Sequence, residues 1–481
     1  MFTITKKSFF IVVFINIVCV SVSLIILADE NRPEYYNFLP LLPLCFGLFS
    51  ILFFNIYNYI FRLLGLTLLF GLFFLRTVII PFVMVLGDYS SFITLNIHFN
   101  MPKAIFLMIY ELFILFYSAA YFTTKYRKIN NSLNGTRILT KKIIKINLFR
   151  EIVILLILFD VLALIFLPEI RKIYSPLFNI NDNDSGGDFE ASTIYSGIQR
   201  QIATLVIFNL EIIRNFIAIY LINWITKYLK GTRKIALLLS ILVIMLGVLF
   251  TTNEKAYSIY CTLALLFYIS RLYPDQKRVI NLVTILSPAI LISLLAYFKP
   301  GMGVSHNLNQ SSLFENLSIT LQAYFSGPAN IAGVFNIDNP NKFSTFFFDF
   351  YSTIPFIQGV WSGGDRLVIV YNTSNYITNQ IIPTVGQSYH YVGFLLAPIV
   401  TLIITKLTIK YDWKRKNEKN NFRFLIYTFL VIFISVTPVA YNYTILIKFL
   451  LMTVIPMFIF EKFVISKEFN EKVDDQYVER H

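Results

Sequence analysis

Arg366 is the single arginine in a stretch of about ninety residues, Phe298–His390, and it follows Gly363-Gly364. Glycines let a backbone come close to a phosphate, and a guanidinium grips one through two parallel hydrogen bonds. A turn contact between Asp365 and Arg366 is the plainer reading of the same residues. His390 closes the stretch between Tyr389 and Tyr391. An imidazole there serves either as a base or as a hydrogen-bonding group at a membrane edge. Glu254 and Lys255 set a carboxylate and a cation side by side in a tight segment, Thr251–Lys255. Six further charges stand inside long apolar runs: Arg76, Glu111, Asp160, Glu211, Arg214 and Lys448. Charges in hydrocarbon are costly and are functional candidates by default. One reading is a structural ion network, in which Glu211 neutralises Arg214 at i, i+3 and Arg76 pairs with Glu111. The other is an outward-opening polar cavity for an anionic head group, with Arg76 and Arg214 as its cations.

The elements that must hold these residues follow from composition. The chain has 481 residues, of which 56% are hydrophobic and 14% charged. A soluble domain carries about 25% charged residues. The mean hydropathy is +0.66. With 49 Phe and 29 Tyr the composition is also the opposite of a disordered one. An all-α polytopic integral membrane protein is what remains. Apolar runs fall at Ser8–Ala28, Phe38–Tyr57, Leu63–Leu86, Ala104–Phe122, Phe149–Leu167, Ile202–Trp224, Ile235–Phe250, Ala256–Ser270, Val279–Tyr297, Tyr391–Leu407, Phe424–Pro438 and Tyr443–Phe460. About 20 apolar residues cross a bilayer, so these runs predict about twelve transmembrane helices. The first run follows Lys6-Lys7 and ends without a small-x-small cleavage site, which predicts an uncleaved anchor.

Charge sets the expected orientation. With the N-terminus inside, 29 of the 41 Lys and Arg fall in inner segments and nine in outer ones. That bias predicts both termini in the cytoplasm. It also accounts for the net charge of +14 as a topology signal, with no nucleic acid as partner. The expected organisation is helices one to nine over 1–297, a large external loop over 298–390, helices ten to twelve over 391–460 and a cytoplasmic tail over 461–481. Cys19, Cys45 and Cys261 sit singly in apolar runs and read as small core residues.

Two outer segments are long. Pro168–Gln201 holds the run Asn181-Asp182-Asn183-Asp184-Ser185-Gly186-Gly187-Asp188. Glu190 comes too early to close a calcium loop, so a solvated loop is expected and no metal. The large loop carries Leu313, Leu317, Leu321 and Tyr324 at helical spacing, then an aromatic-rich stretch from Phe346 to Trp361. Both are expected to lie in the interface or to re-enter the membrane.

Two motifs in this region resemble a known family. They are Gln322-Ala323-Tyr324-Phe325-Ser326-Gly327-Pro328-Ala329-Asn330 and Pro383-Thr384-Val385-Gly386-Gln387-Ser388-Tyr389-His390-Tyr391-Val392-Gly393-Phe394. With the span count and the late external loop, they resemble the bacterial oligosaccharide repeat-unit polymerases, the Wzy-type O-antigen and capsule polymerases. Where many relatives carry an arginine at the outer end of a middle helix pair, this chain has Lys255. The resemblance implies a metal-independent glycosyl transfer on the outer face of the bacterial cytoplasmic membrane, with no cofactor. A growing glycan on undecaprenyl diphosphate passes to a sugar hydroxyl of a new lipid-linked repeat unit. Cations must stabilise the departing diphosphate and a base must take the acceptor proton. Arg366, Arg214, Arg76 and Lys255 are the cation candidates, His390 and Glu254 the base candidates, and Tyr324 and Trp361 candidates to line the glycan path. The lipid bilayer, a chain-length regulator and a flippase are the partners implied.

Two other readings stay open. A lipid-linked oligosaccharide flippase would share the spans and the buried charges, although no half-repeat is visible here. A polyprenyl-phosphate-sugar glycosyltransferase would use acids in the first outer loop, where Asp29-Glu30 and Glu34 stand. The topology has a direct check: reporters fused within Phe298–His390 should report outside the cell and those within Lys125–Lys145 inside. A cytoplasmic signal from the large loop would overturn the orientation.

Overall fold

The computed structural model describes residues 6–133, 146–167, 197–228, 233–249, 255–284, 286–287, 312–337, 343–354, 366–377 and 380–465. Among the described residues there are helices and turns and no strand. The first helices are α1 (Lys6–Ala28), α2 (Leu41–Leu52), α3 (Leu64–Phe74), α4 (Ile80–Leu86) and α5 (Ile97–Leu133). One π-helical turn, Leu75–Ile79, joins α3 to α4. Then come α6 (Ile146–Phe166), α7 (Gly197–Tyr228), α8 (Arg233–Leu249) and α9 (Lys255–Leu272). The region 312–392 supplies five short helices: α10 (Leu313–Tyr324), α11 (Pro328–Val334), α12 (Phe343–Ser352), α13 (Leu367–Ser374) and α14 (Thr384–Val392). The chain then forms α15 (Ile399–Asn417), α16 (Asn421–Ala440), α17 (Tyr443–Phe449) and α18 (Ile455–Ile465).

Six helical stretches among the described residues are long and apolar enough to cross a membrane. They are Ser8–Ala28, Glu34–Leu52, Leu64–Leu86, Ile97–Arg127, Asn421–Ala440 and Tyr443–Lys462. Each coincides with one of the expected runs. Ile154–Phe166, Ile212–Thr226 and Tyr257–Leu272 are apolar but shorter. The chain is therefore an all-α, multi-pass membrane protein. A helix suits this setting because it satisfies its backbone polar groups internally, where no water can. Phe9, Phe10, Phe14, Ile17 and Leu24 on α1 are exposed, as side chains facing hydrocarbon must be.

One expected span is not a single helix. The run Tyr391–Leu407 is interrupted at Gly393, whose φ is 78°. A left-handed residue ends a helix, and glycine takes that conformation without Cβ strain. Gly393 N–H closes the last turn on Tyr389 O at 2.8 Å. Tyr391 consequently belongs to the short helix α14, and the next helix, α15, begins only at Ile399.

The chain divides into two compact units. The first comprises Met1–Arg137, His306–Lys414 and Val431–Lys448. In it α1 packs on α2, α11 on α5, α10 on α4, and α12 on α14. The second comprises Ile138–Ser305, Arg415–Leu430 and Phe449–His481. There α6 packs on α7 and α8 on α9, as expected for a helical hairpin. Ser258 Oγ donates to Gly247 O at 2.5 Å across that hairpin.

Two of the short helices of the first unit, α10 and α12, turn polar side chains inward. The stripe of α10 was expected to lie in the interface or to re-enter the membrane; Leu313, Leu317 and Tyr324 are exposed and Leu321 packs partly against the core, while Ser318 and Gln322 are buried. Both polar side chains donate to Ser90 O, at 2.8 and 3.0 Å. A capping box starts this helix, with Glu315 N donating to Ser312 Oγ and Ser312 N to Glu315 Oε2. On α12 the only buried residue is Asp349, while Phe343 and Phe347 are exposed. Helices that dock by polar contacts and display aromatic and aliphatic side chains suit a membrane interface.

In α14 Gly386 meets Val334 of α11, and a Cβ there would run into the valine side chain. Gly386→Val should therefore overpack this contact at a cost of about 1–3 kcal/mol. A drop in Tm of the detergent-solubilised protein, with normal insertion, is the expected readout.

Candidate functional site

Four segments of the first unit meet at one buried carboxylate. Asp349 is 3% exposed. Its Oδ1 accepts from Leu367 N at 3.1 Å, and its Oδ2 accepts from the Tyr391 hydroxyl. The Gln387 side chain donates to it as well. The sequence explains how these groups arrive. Asp349 interrupts the aromatic run Phe346-Phe347-Phe348-Asp349-Phe350, so it lies on the face of α12 opposite the exposed rings. Helix α14 is short and almost wholly buried, with Gln387 and Tyr391 one turn apart on one face. Tyr443 at the start of α17 completes the group: its N–H donates to Gln387 Oε1 at 3.2 Å, and its hydroxyl lies 3.0 Å from that of Tyr391. The rings of Phe346, Tyr391 and Tyr443 pack around the polar atoms, with centroids 5.3 to 5.6 Å apart.

Burial pushes the Asp349 carboxyl above its ordinary value, because an ion loses hydration there. The Tyr391 hydroxyl, the Leu367 N–H, the Gln387 amide and the Arg366 charge pull in the other direction.

Arg366 stands at the N-cap position of α13, with φ −61° and ψ 141°. Its carbonyl receives the N–H of Ile369 and Val370 at 2.9 and 3.1 Å. The residue is partly exposed, and its charge acts weakly on Asp349. Among the described residues no hydrogen bond occupies the Arg366 guanidinium. Asp365, the neighbour expected to hold it, lies outside the described residues. What the fold places beside Arg366 is Asp349, and through Leu367 N that carboxylate pins the helix that Arg366 starts.

His390 is buried on α14 at 5% exposure, edge-on to the Tyr391 ring with centroids 6.2 Å apart. Tyr324 ends α10 and is 52% exposed. The motif around it builds a turn. Gly327 N donates to Gln322 O, Asn330 Nδ2 donates to Ala323 O, and Tyr371 OH donates to Asn330 O, at 2.9, 3.3 and 2.9 Å. Glu254, Trp361 and the side chains of Lys255 and Glu211 lie outside the described residues, as does the Asp/Asn run at 181–188.

Among the described residues Arg76, Glu111, Asp160 and Arg214 find local partners. In the first unit Arg76 sits on the π turn between α3 and α4 and donates to Glu111 Oε2 of α5 at 2.7 Å. Thr401 Oγ1 of α15 donates to the other oxygen, Oε1, at 2.6 Å. Arg76 is fully buried, its guanidinium 5.4 Å from the Phe73 ring centroid, and its Nε and Nη1 have no hydrogen-bond partner among the described residues. The expected pairing is thus present, and the arginine has no surface open to a head group. In the second unit Arg214 lies over the Tyr257 ring at 4.9 Å, and the Tyr257 hydroxyl is hydrogen-bonded to Thr453. Asp160 Oδ1 accepts from Asn209 Nδ2 at 2.7 Å in the same unit.

Among the described residues no group of three or more His, Cys, Asp or Glu is arranged to hold a metal ion. No protein-family model, curated protein or solved structure matches the chain.

Glu111→Gln should leave Arg76 buried beside a neutral amide at a cost of about 3–5 kcal/mol. The expected outcome is poor insertion or a much lower Tm. Arg76→Met combined with Glu111→Leu should recover most of the loss, since an apolar pair removes both desolvated charges.

Proposed function

We propose that this chain polymerises lipid-linked oligosaccharide repeat units on the outer face of a bacterial cytoplasmic membrane. In this reading twelve spans carry the chain with both termini in the cytoplasm, and the region 298–390 is the external catalytic loop. The substrate is undecaprenyl-diphosphate-linked oligosaccharide. The flippase and a chain-length regulator are its expected neighbours.

One observation carries the reading: Arg366, a partly exposed residue whose guanidinium has no hydrogen bond among the described residues, held at the edge of a buried polar cluster. A departing diphosphate gains charge as the glycosidic bond to it breaks, and a preplaced cation is worth most at that moment. The aromatic rings of α10 and α12 on the outward side suit a substrate whose polyprenyl tail stays in the membrane while its sugars lie above it. The family resemblance of the motifs in α11 and α14 supports the same reaction. Arg214 and Arg76 enter as supports of the helix framework rather than as ligands.

Arg366→Ala should lower polymerisation by roughly 10²–10³, with normal protein in the membrane. Arg366→Lys should recover part of it, because lysine keeps a point charge without the planar fork. Polysaccharide ladder length on a gel, normalised to membrane protein, is the measurement. In cells lacking the chain, single repeat units should accumulate on the lipid carrier at the outer face. Units retained on the inner face would instead identify a flippase.

A further inference from the structure

A chain of hydroxyls leads from the edge of the cluster to the buried carboxylate. Tyr443 is partly exposed, Tyr391 is 5% exposed and Asp349 is 3% exposed. The two hydroxyls are 3.0 Å apart, and the inner one is bonded to Asp349 Oδ2. The directions follow from counting hydrogens. An ionised carboxylate only accepts, so the single hydrogen of Tyr391 is committed to Oδ2. The Tyr391 oxygen must then accept from Tyr443. The one hydrogen of Tyr443 has two acceptors in reach, Tyr391 Oη at 3.0 Å and Phe346 O at 3.2 Å. Its oxygen is left able to accept from a third hydroxyl.

The frame around this chain is rigid. Gln387 holds both ends, through Tyr443 N and through Asp349. Asp349 is too deeply buried to touch a substrate, whereas Tyr443 is not. Oδ1 is spent on Leu367 N, which leaves Oδ2 as the proton-accepting atom.

We propose that Tyr443, Tyr391 and Asp349 form a proton relay that takes the proton of the acceptor sugar hydroxyl, with Tyr443 in contact with the acceptor and Asp349 as the final proton holder. The proposal rests on the polymerase reading. The acceptor oxygen attacks the anomeric carbon of the growing glycan and forms the new C–O bond. The bond from that carbon to the undecaprenyl diphosphate oxygen breaks, and its electron pair leaves with the diphosphate. The acceptor proton passes to Tyr443, the proton of Tyr443 to Tyr391, and that of Tyr391 to Asp349 Oδ2. Nothing is oxidised or reduced. The negative charge lost by Asp349 equals the one gained by the diphosphate. Arg366 feels Asp349 in the resting protein, so it is freed from one anion as the other develops. Burial, which raises the affinity of Asp349 for a proton, favours this transfer.

The test uses the full chain in proteoliposomes with lipid-linked repeat units extracted from cells that lack it. Wild-type protein should elongate them, more slowly in D2O, with a curved dependence on deuterium fraction because several protons move together. Tyr443→Phe keeps the ring and removes one link. It should lower kcat by about 10²–10⁴ with KM within about twofold, and the residual rate should depend linearly on deuterium fraction. Asp349→Asn should match it, and the double variant should be no slower than either single one, as for groups that act as a unit. If Asp349→Asn fails to insert, Tyr443→Phe decides alone. A near-wild-type kcat for Tyr443→Phe, or a loss confined to KM, overturns the relay and leaves the polymerase reading standing. Wild-type protein that elongates nothing, while intact cells still need the chain for surface glycan, places the chemistry elsewhere and removes both.

Discussion

A polar group enclosed by apolar helices has no water to turn to, and its hydrogen-bonding needs must be met where it stands. Much of this protein is arranged around that constraint. Glu111 gathers a guanidinium from the helix before it and a hydroxyl from α15, far along the chain. Asp412 accepts the backbone N–H of Gly65 at 2.6 Å and so ties α15 to the start of α3. Thr384 donates to Thr437 O and Tyr441 O and joins the short helix α14 to the end of α16. The bonds of Thr401, Asp412 and Thr384 bridge segments that sequence separates widely, and each fixes one arrangement against the sliding that a purely apolar contact permits.

Asp349 is the most connected case. Left unpaired, a carboxylate at this depth would be strongly unfavourable. Satisfying it brings α12, the start of α13, α14 and the first residue of α17 to a common point. The functional consequence is geometric. The same bond that satisfies Oδ1 sets the first turn of α13, and that turn carries Arg366. The bond to Oδ2 aligns two tyrosines toward the partly exposed side. A polar cluster that stabilises these short helices is thereby also a means of holding a cation and a hydroxyl at fixed separation, as the proposed transfer would require.

Helices α10 and α12 reverse the usual rule of apolar faces inward. Their polar sides dock and their aromatic sides are displayed. In water this would be an aggregation hazard, but beside a bilayer it is favourable. The arrangement keeps the polar cluster on the protein side of α12 and leaves Phe343 and Phe347 displayed on the other.

Sequence by itself determined the class. The density of apolar runs, the scarcity of charge and the bias of Lys and Arg require a polytopic helical protein, because the cost of bare backbone and charge in hydrocarbon leaves no other solution. The Arg76–Glu111 pair was also legible, since consecutive antiparallel helices bring neighbours in sequence together. Arg366 was legible as a lone guanidinium by glycines, but its partner was not. Aromatic spacing gave Asp349 no distinguishing mark beyond being the one acid in a run of rings, and nothing local links position 349 to 391 or 443. The stripe on α10 reads from sequence only as an apolar face, because helical period reports amphipathicity without saying which side is wet, oily or covered. The break at Gly393 likewise follows from a backbone dihedral that hydropathy does not see. Those features were decided only by tertiary structure, where long-range contacts satisfy buried polar groups and so choose which face of each helix turns inward.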